Sequence, residues 1–213
     1  MFGGIKAFPG IAGKWLLDMM PYYFFMGAGP EPMCKGAIFK VNANYIKRIC
    51  GQEGLDRVIS SVARKWPHFN IGGMRDKDWL PLDMRVAFLE ACKSELGWDD
   101  RRIYQMGTDA AQQSSIIMSF ISYFLTINKA LQYAPEIWGN NYSTGKLELL
   151  ENGKNHGRLS LSDFRHSPVL CTYLAGFFHG VGTKVAKAVD VRVMEEQCVH
   201  RGADRCVFSF DWD

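Results

Sequence analysis

The chain has 213 residues, 47% hydrophobic and 22% charged, with a net charge of +3 and no basic block or arm. That balance argues against wholesale disorder and against nucleic-acid binding, and six cysteines are too sparse for a disulfide scaffold. No secretory signal is evident and no run approaches the ~20 apolar residues that span a bilayer, so a reducing cytoplasm is expected.

Residues 1–35 are rich in Gly, Pro, Met and aromatics and read as an N-terminal arm, with one domain over 36–213. The arm is expected to pack on the domain, on a second copy in a homodimer, or on a partner protein. A membrane-surface helix over Trp15–Phe25 is the rival reading, but Lys14 and Asp18 are a poor charged face for one. From Ala37 onward the pattern becomes regular. Asn42 or Asn44 can cap a short helix that ends between Gly51 and Gly54, and a second helix runs from Leu55 to Lys65, stopped by Trp66-Pro67. His68 to Trp79 reads as a loop. Pro81 suits the first turn of a helix with apolar positions at Val86, Leu89, Cys92 and Leu96, closed by Gly97. Cys92 reads as a small core residue.

Asp100 to Ala134 reads as one long or broken helix, weak at Gly107, apolar on most sides in its later part, and interrupted or restarted at Pro135. Lys146–Glu151 and Gly157–Phe164 alternate with period two around Asn-Gly-Lys-Asn, which predicts a hairpin. The closing helix, from about Pro168 to Ala188, carries the stripe Leu170, Leu174, Phe177, Val181 and Val185. Ala175, Gly176, Gly180 and Gly182 leave little bulk on it, so a sheet or a ligand could approach closely. Two more strands end the chain. Helices, hairpin, helix, hairpin is the order of an α+β domain, its helical N-terminal half packed on a mostly antiparallel sheet.

Chemistry concentrates near the end. If the last turn centres on Gly202, Cys198 and Cys206 lie opposite each other, their β-carbons about 5 Å apart. Cys171 and a glutamate could complete a four-ligand zinc set tying helix to hairpin. A disulfide, or two plain buried thiols, fits the same spacing. In an unbroken strand Glu196, not Glu195, shares a face with Cys198, so either the strand bulges or Glu196 is the ligand.

The segment Ser167–Val181, continued by Val191–Phe210, resembles the 4-vinyl reductase domain family, whose hallmark is two cysteines eight positions apart around a glycine turn. The text upstream, from about residue 36, is similar to a related myxobacterial paralogous family. The resemblance implies a fold shared with heme–nitric-oxide-binding domains and TRAPP subunits. It further implies zinc on Cys171, Glu195, Cys198 and Cys206, as in the phenol-sensing members. The function it implies is a small-molecule sensor or binding domain, non-catalytic, for a small hydrophobic ligand. The expected pocket lies between the long apolar helix and the sheet, lined by Phe120, Tyr123, Phe124, Trp138, Tyr142 and Phe177, with His166 or His179 as polar contacts. A tetrapyrrole enzyme or carrier, and an assembly subunit using the arm, are the rival functions. The first lacks any nucleotide-binding glycine pattern for a reductase.

Overall fold

The computed structural model describes residues 31–113, 126–186 and 190–213. The expected helix over Trp15–Phe25, and the candidates Phe120, Tyr123 and Phe124, lie outside the described residues.

The elements run β1 (Met33–Lys35), α1 (Ala37–Ala63), β2 (Trp79–Pro81), α2 (Leu82–Leu96), α3 (Asp100–Gln113) and α4 (Ile127–Asn141). They continue with β3 (Lys146–Asn152), β4 (His156–Ser162), α5 (Pro168–Ala186), β5 (Val191–Gln197) and β6 (Cys206–Trp212). The α+β reading therefore holds, with a four-stranded antiparallel sheet in the order β3-β4-β6-β5. No helix among the described residues is long and apolar enough to cross a membrane.

Several local expectations are corrected. The two short helices are one element, α1, which starts at Ala37 rather than at an asparagine cap and is broken by Gly51 at φ 71°, ψ −176°. That backbone is strained for any residue with a β-carbon, so the glycine marks the kink. Asn42, buried inside the helix, instead accepts a hydrogen bond from the Tyr173 hydroxyl at 2.8 Å. The loop after α1 ends in β2, which pairs with β1 in a small second sheet. Period-two alternation cannot reveal three-residue strands. Gly97 closes α2 in the left-handed conformation, as its position suggests.

Gly107 is no weak point. It lies inside α3, where a β-carbon would overlap the Tyr173 carbonyl of α5. From the other side, Gly176 and Gly180 would overlap the Tyr104 and Thr108 carbonyls of α3. The bare face of α5 thus admits a helix backbone, not a sheet or ligand, apart from Gly182 against Val191. Pro135 sits inside α4 and removes one i to i−4 bond without ending the helix.

Both hairpins form where expected. Leu147, Leu161, Cys206 and, on the neighbouring rung, Leu159, Phe208 and Glu195 are cross-strand partners, so they share one sheet face. Phe178 of α5 packs on that face, with its ring 5.0 Å from Phe208 and 5.9 Å from Phe210. At the other end of the core, Phe39 and Phe88 are fully buried and meet edge to face at 5.8 Å. Burying each such ring contributes roughly 1.5–3 kcal/mol.

Candidate functional site

Two buried polar groupings stand out, and α5 contributes to both. The first lies where α5 meets the β5–β6 turn. After Cys198 the chain makes a short 3-10 turn over Val199–Arg201, then passes Gly202 at φ 93°. This returns β6 so that Cys206 follows on from the Gln197↔Val207 pair. The Cys171 sulfur lies 3.8 Å from that of Cys206 and 3.8 Å from that of Cys198. With a carboxylate oxygen of Glu195, the four ligand atoms all fall within 4.8 Å of one another.

The register explains why Glu195 and not Glu196 joins the group. Glu195 pairs with Phe208 and Gln197 with Val207, so Glu196 is the extra residue of a bulge. The bulge puts Glu195 and Cys198 on one face. Glu196 turns away and accepts from Arg158 at 2.6 Å. One Glu195 oxygen pairs with Arg201 at 3.1 Å, while the other is buried without a partner among the described residues. The thiols are electrostatically unequal. The Cys171 thiol, in hydrogen-bond contact with the free Cys206, holds Cys206 below the ordinary thiol value and is itself pushed up. Burial raises Cys198. Three sulfurs and a carboxylate at such spacing form a donor set for a thiophilic cation.

The second grouping is a cavity of about 450 Å³ between α1, α3, α4, α5 and β3. Its walls are mostly apolar: Ile38 and Val41 of α1, Ala130, Ala134 and Ile137 of α4, and Leu174, Phe177 and Val181 of α5. Lys40 and Asp76, also on its lining, form an exposed ion pair of 2.8 Å. Elsewhere on the lining are Arg85, Tyr142 and Tyr173. Arg85 is completely buried, and none of its side-chain nitrogens has a hydrogen-bond partner among the described residues. Its guanidinium carbon lies 4.4 Å from the ring centre of Tyr173 and 5.8 Å from that of Tyr142. Burial raises both phenols above their ordinary value and pushes nearby Cys34 up to about 11, so all three are neutral at pH 7.

Of the expected ligand contacts, Trp138, Tyr142 and Phe177 line this cavity. Trp138 stacks on Tyr142 at 4.1 Å and donates its indole N–H to the Thr144 and Gly145 carbonyls. His166 and His179 are not on the lining: His166 packs edge-on against Phe164 at 4.9 Å, and His179 lies beside Tyr104 at 5.8 Å. Arg85 and Tyr173 went unread in the sequence. The signal was present, because Arg85 occupies the apolar stripe of α2 with Leu82, Leu89 and Cys92, at helical spacing.

No protein-family model and no curated protein matches the sequence. Solved structures do. An H-NOX protein from S. oneidensis in the Fe(II)NO ligation state has a TM-score of 0.65 at 16% identity, over 84% of this chain and 99% of its own. An oxygen-binding H-NOX domain related to soluble guanylate cyclases has a TM-score of 0.64 at 13% identity, over 84% and 95%. An unliganded Fe(II) H-NOX protein from K. algicida has a TM-score of 0.62 at 11% identity, over 84% and 96%. At these identities the likeness establishes the fold. It corrects two expectations. The 4-vinyl reductase assignment gives way to an H-NOX-like fold, and zinc gives way as the expected cofactor, since two of these structures are described with Fe(II) and one as an oxygen complex, none with zinc.

Proposed function

We propose that this domain is a small-molecule binding or sensor module whose ligand occupies the cavity between the helices and β3. The observation that carries the reading is the cavity itself: about 450 Å³, largely apolar, with a few convergent polar groups. That size and character are those of ligand pockets in general. The fold likeness supports the same class, because the matching H-NOX structures are described with Fe(II)NO or oxygen complexes.

Heme is named for one further matching structure, and its iron would need an axial ligand from the cavity wall. All five histidines and six cysteines of the chain are among the described residues, and none lines the cavity. The two tyrosines on the lining are held protonated by burial, and the Tyr173 hydroxyl is engaged with Asn42. The usual axial ligands are His, Cys, Met or an ionised Tyr. The lining among the described residues does not fit an iron-ligated heme, and the proposed occupant is a smaller apolar molecule.

The neutral dye N-phenyl-1-naphthylamine provides the test. It is expected to bind at one site with enhanced fluorescence, and Ala134→Trp, which fills the cavity, is expected to weaken it about tenfold or more, the factor that 1.4 kcal/mol represents. Hemin added to the same protein is expected to show no axially ligated spectrum. A wild-type protein that binds no apolar dye would sink the proposal.

A second reading rests on Cys171, Glu195, Cys198 and Cys206. Their assembly within 4.8 Å, with an unpartnered carboxylate oxygen, supports a thiophilic metal ion held as a fixed clasp between α5 and the β5–β6 turn. Elemental analysis of the protein purified without chelator tests it and identifies the ion. A stoichiometry well below one, for every thiophilic metal, would overturn it.

A further inference from the structure

The cavity has a charge that the apolar reading leaves without a role. Arg85 is 0% exposed, lines the cavity, and has no hydrogen-bond partner on Nε or either terminal nitrogen among the described residues. A guanidinium remains protonated throughout the accessible pH range. Its neighbours do not balance it. They are the Tyr142 and Tyr173 rings, the Tyr173 hydroxyl, which lies near it without an aligned hydrogen bond, and the Cys34 thiol; all are neutral, and no carboxylate is paired with it among the described residues. Cation–π contact recovers a small part of what an unpaired buried charge loses on leaving water. The five N–H groups of a guanidinium form a planar fork that suits a carboxylate, with two parallel bonds. Beside it the apolar walls of Ile137, Leu174, Phe177 and Val181 can hold a hydrocarbon body.

We propose that the ligand of this cavity is an apolar carboxylate, its hydrocarbon body along α4 and α5 and its carboxylate paired with Arg85. This rests on the cavity being the ligand site and adds the ligand's chemical class. Such a carboxylate has two sources, a fatty acyl chain or an aromatic acid. In either case the recognition is the same: one negative charge at the end of a body with no other polar group. Tyr142 and Tyr173, neutral and adjacent, confine the charge to Arg85.

The test compares probes that differ only in charge, on the full chain. Parinaric acid and its methyl ester represent the acyl source, and 2-naphthoic acid and its methyl ester the aromatic one. In at least one pair the acid is expected to bind about 30-fold or more tightly than the ester, the lower bound for breaking a buried, hydrogen-bonded charge pair. The pair showing the preference identifies the source. In Arg85→Met the acid is expected to fall to the affinity of the ester, while the ester keeps its own. If acid and ester bind wild type equally, the carboxylate proposal is overturned and the cavity reading stands. If all four probes and the neutral dye fail to bind, both are overturned. The wild-type comparison needs no variant, so it decides the matter even where Arg85→Met misfolds.

Discussion

Cys171 and Tyr173 are two residues apart on α5 and so project about 200° apart around it. One faces the thiol tetrad and the other the cavity, and the two buried groupings are opposite in kind. The cavity holds a cation, Arg85, with no anion beside it among the described residues. The tetrad gathers three thiols and a carboxylate, with Arg201 as a cation pairing with one carboxylate oxygen. One helix thus carries a buried unpaired cation on one side and a set of soft sulfur and oxygen donors on the other.

The sharpest way to break this comparison is to challenge the ion proposed for the tetrad. A loss of ~3 kcal/mol from removing a structural ion would lower Tm by about 6–12 °C in a chain of this size. Treatment with a strong chelator, or Cys198→Ser, is expected to produce such a drop in differential scanning calorimetry. An unchanged Tm in both would leave the tetrad a group of ordinary buried thiols. The next largest effect is expected at the seam that both groupings share. Gly176→Val drives a side chain into the Tyr104 carbonyl and should cost about 1–3 kcal/mol in urea denaturation. The exposed Gly139, with nothing within 4 Å of a β-carbon, is the control, since Gly139→Ala should stabilise α4 by about 0.4–1 kcal/mol.

A smaller change of opposite sign is expected at the cavity. Arg85→Met removes an unpaired buried charge and should raise the stability of the ligand-free protein by ~1–2 kcal/mol, whereas the tetrad substitution lowers it. If Arg85→Met is strongly destabilising instead, the arginine is already balanced and the contrast between the two sides fails. The smallest effect concerns pH. Burial holds His166 below its usual 6.5, so the unfolded chain takes up the proton more readily. Its contribution is fully present above pH 6.5 and is lost as pH falls through the lower folded value. His166→Asn should flatten Tm against pH in that window. An identical slope in the variant would assign the pH dependence to other groups.

Much of the frame was legible because it follows simple periods. The alternation of Lys146–Glu151 and Gly157–Phe164 marks a hairpin, and Pro81 and Gly97 bracket α2. What escaped depends on contacts distant in sequence. Gly107 reads as a weak point until α5 is placed against it, and Asn42 reads as a cap until Tyr173 arrives. Arg85 was visible as a charge on an apolar stripe, yet only the enclosing tyrosines show that it is buried without a partner. The tetrad residues were legible as types, but the choice of glutamate was not, because parity along an ideal strand points to Glu196. One extra residue in β5 reverses that parity.

That extra residue also sets how much editing the strand can absorb. Glu195 and Cys198 face the same way because the three steps between them count as two against β6. Shortening the interval by deleting Glu196 leaves a true two-step spacing, so both ligands keep their face and only the Arg158 pair is lost. Lengthening it by one residue without a further bulge restores odd parity and turns Glu195 away from the sulfurs. The interval is thus permissive to loss and intolerant of gain.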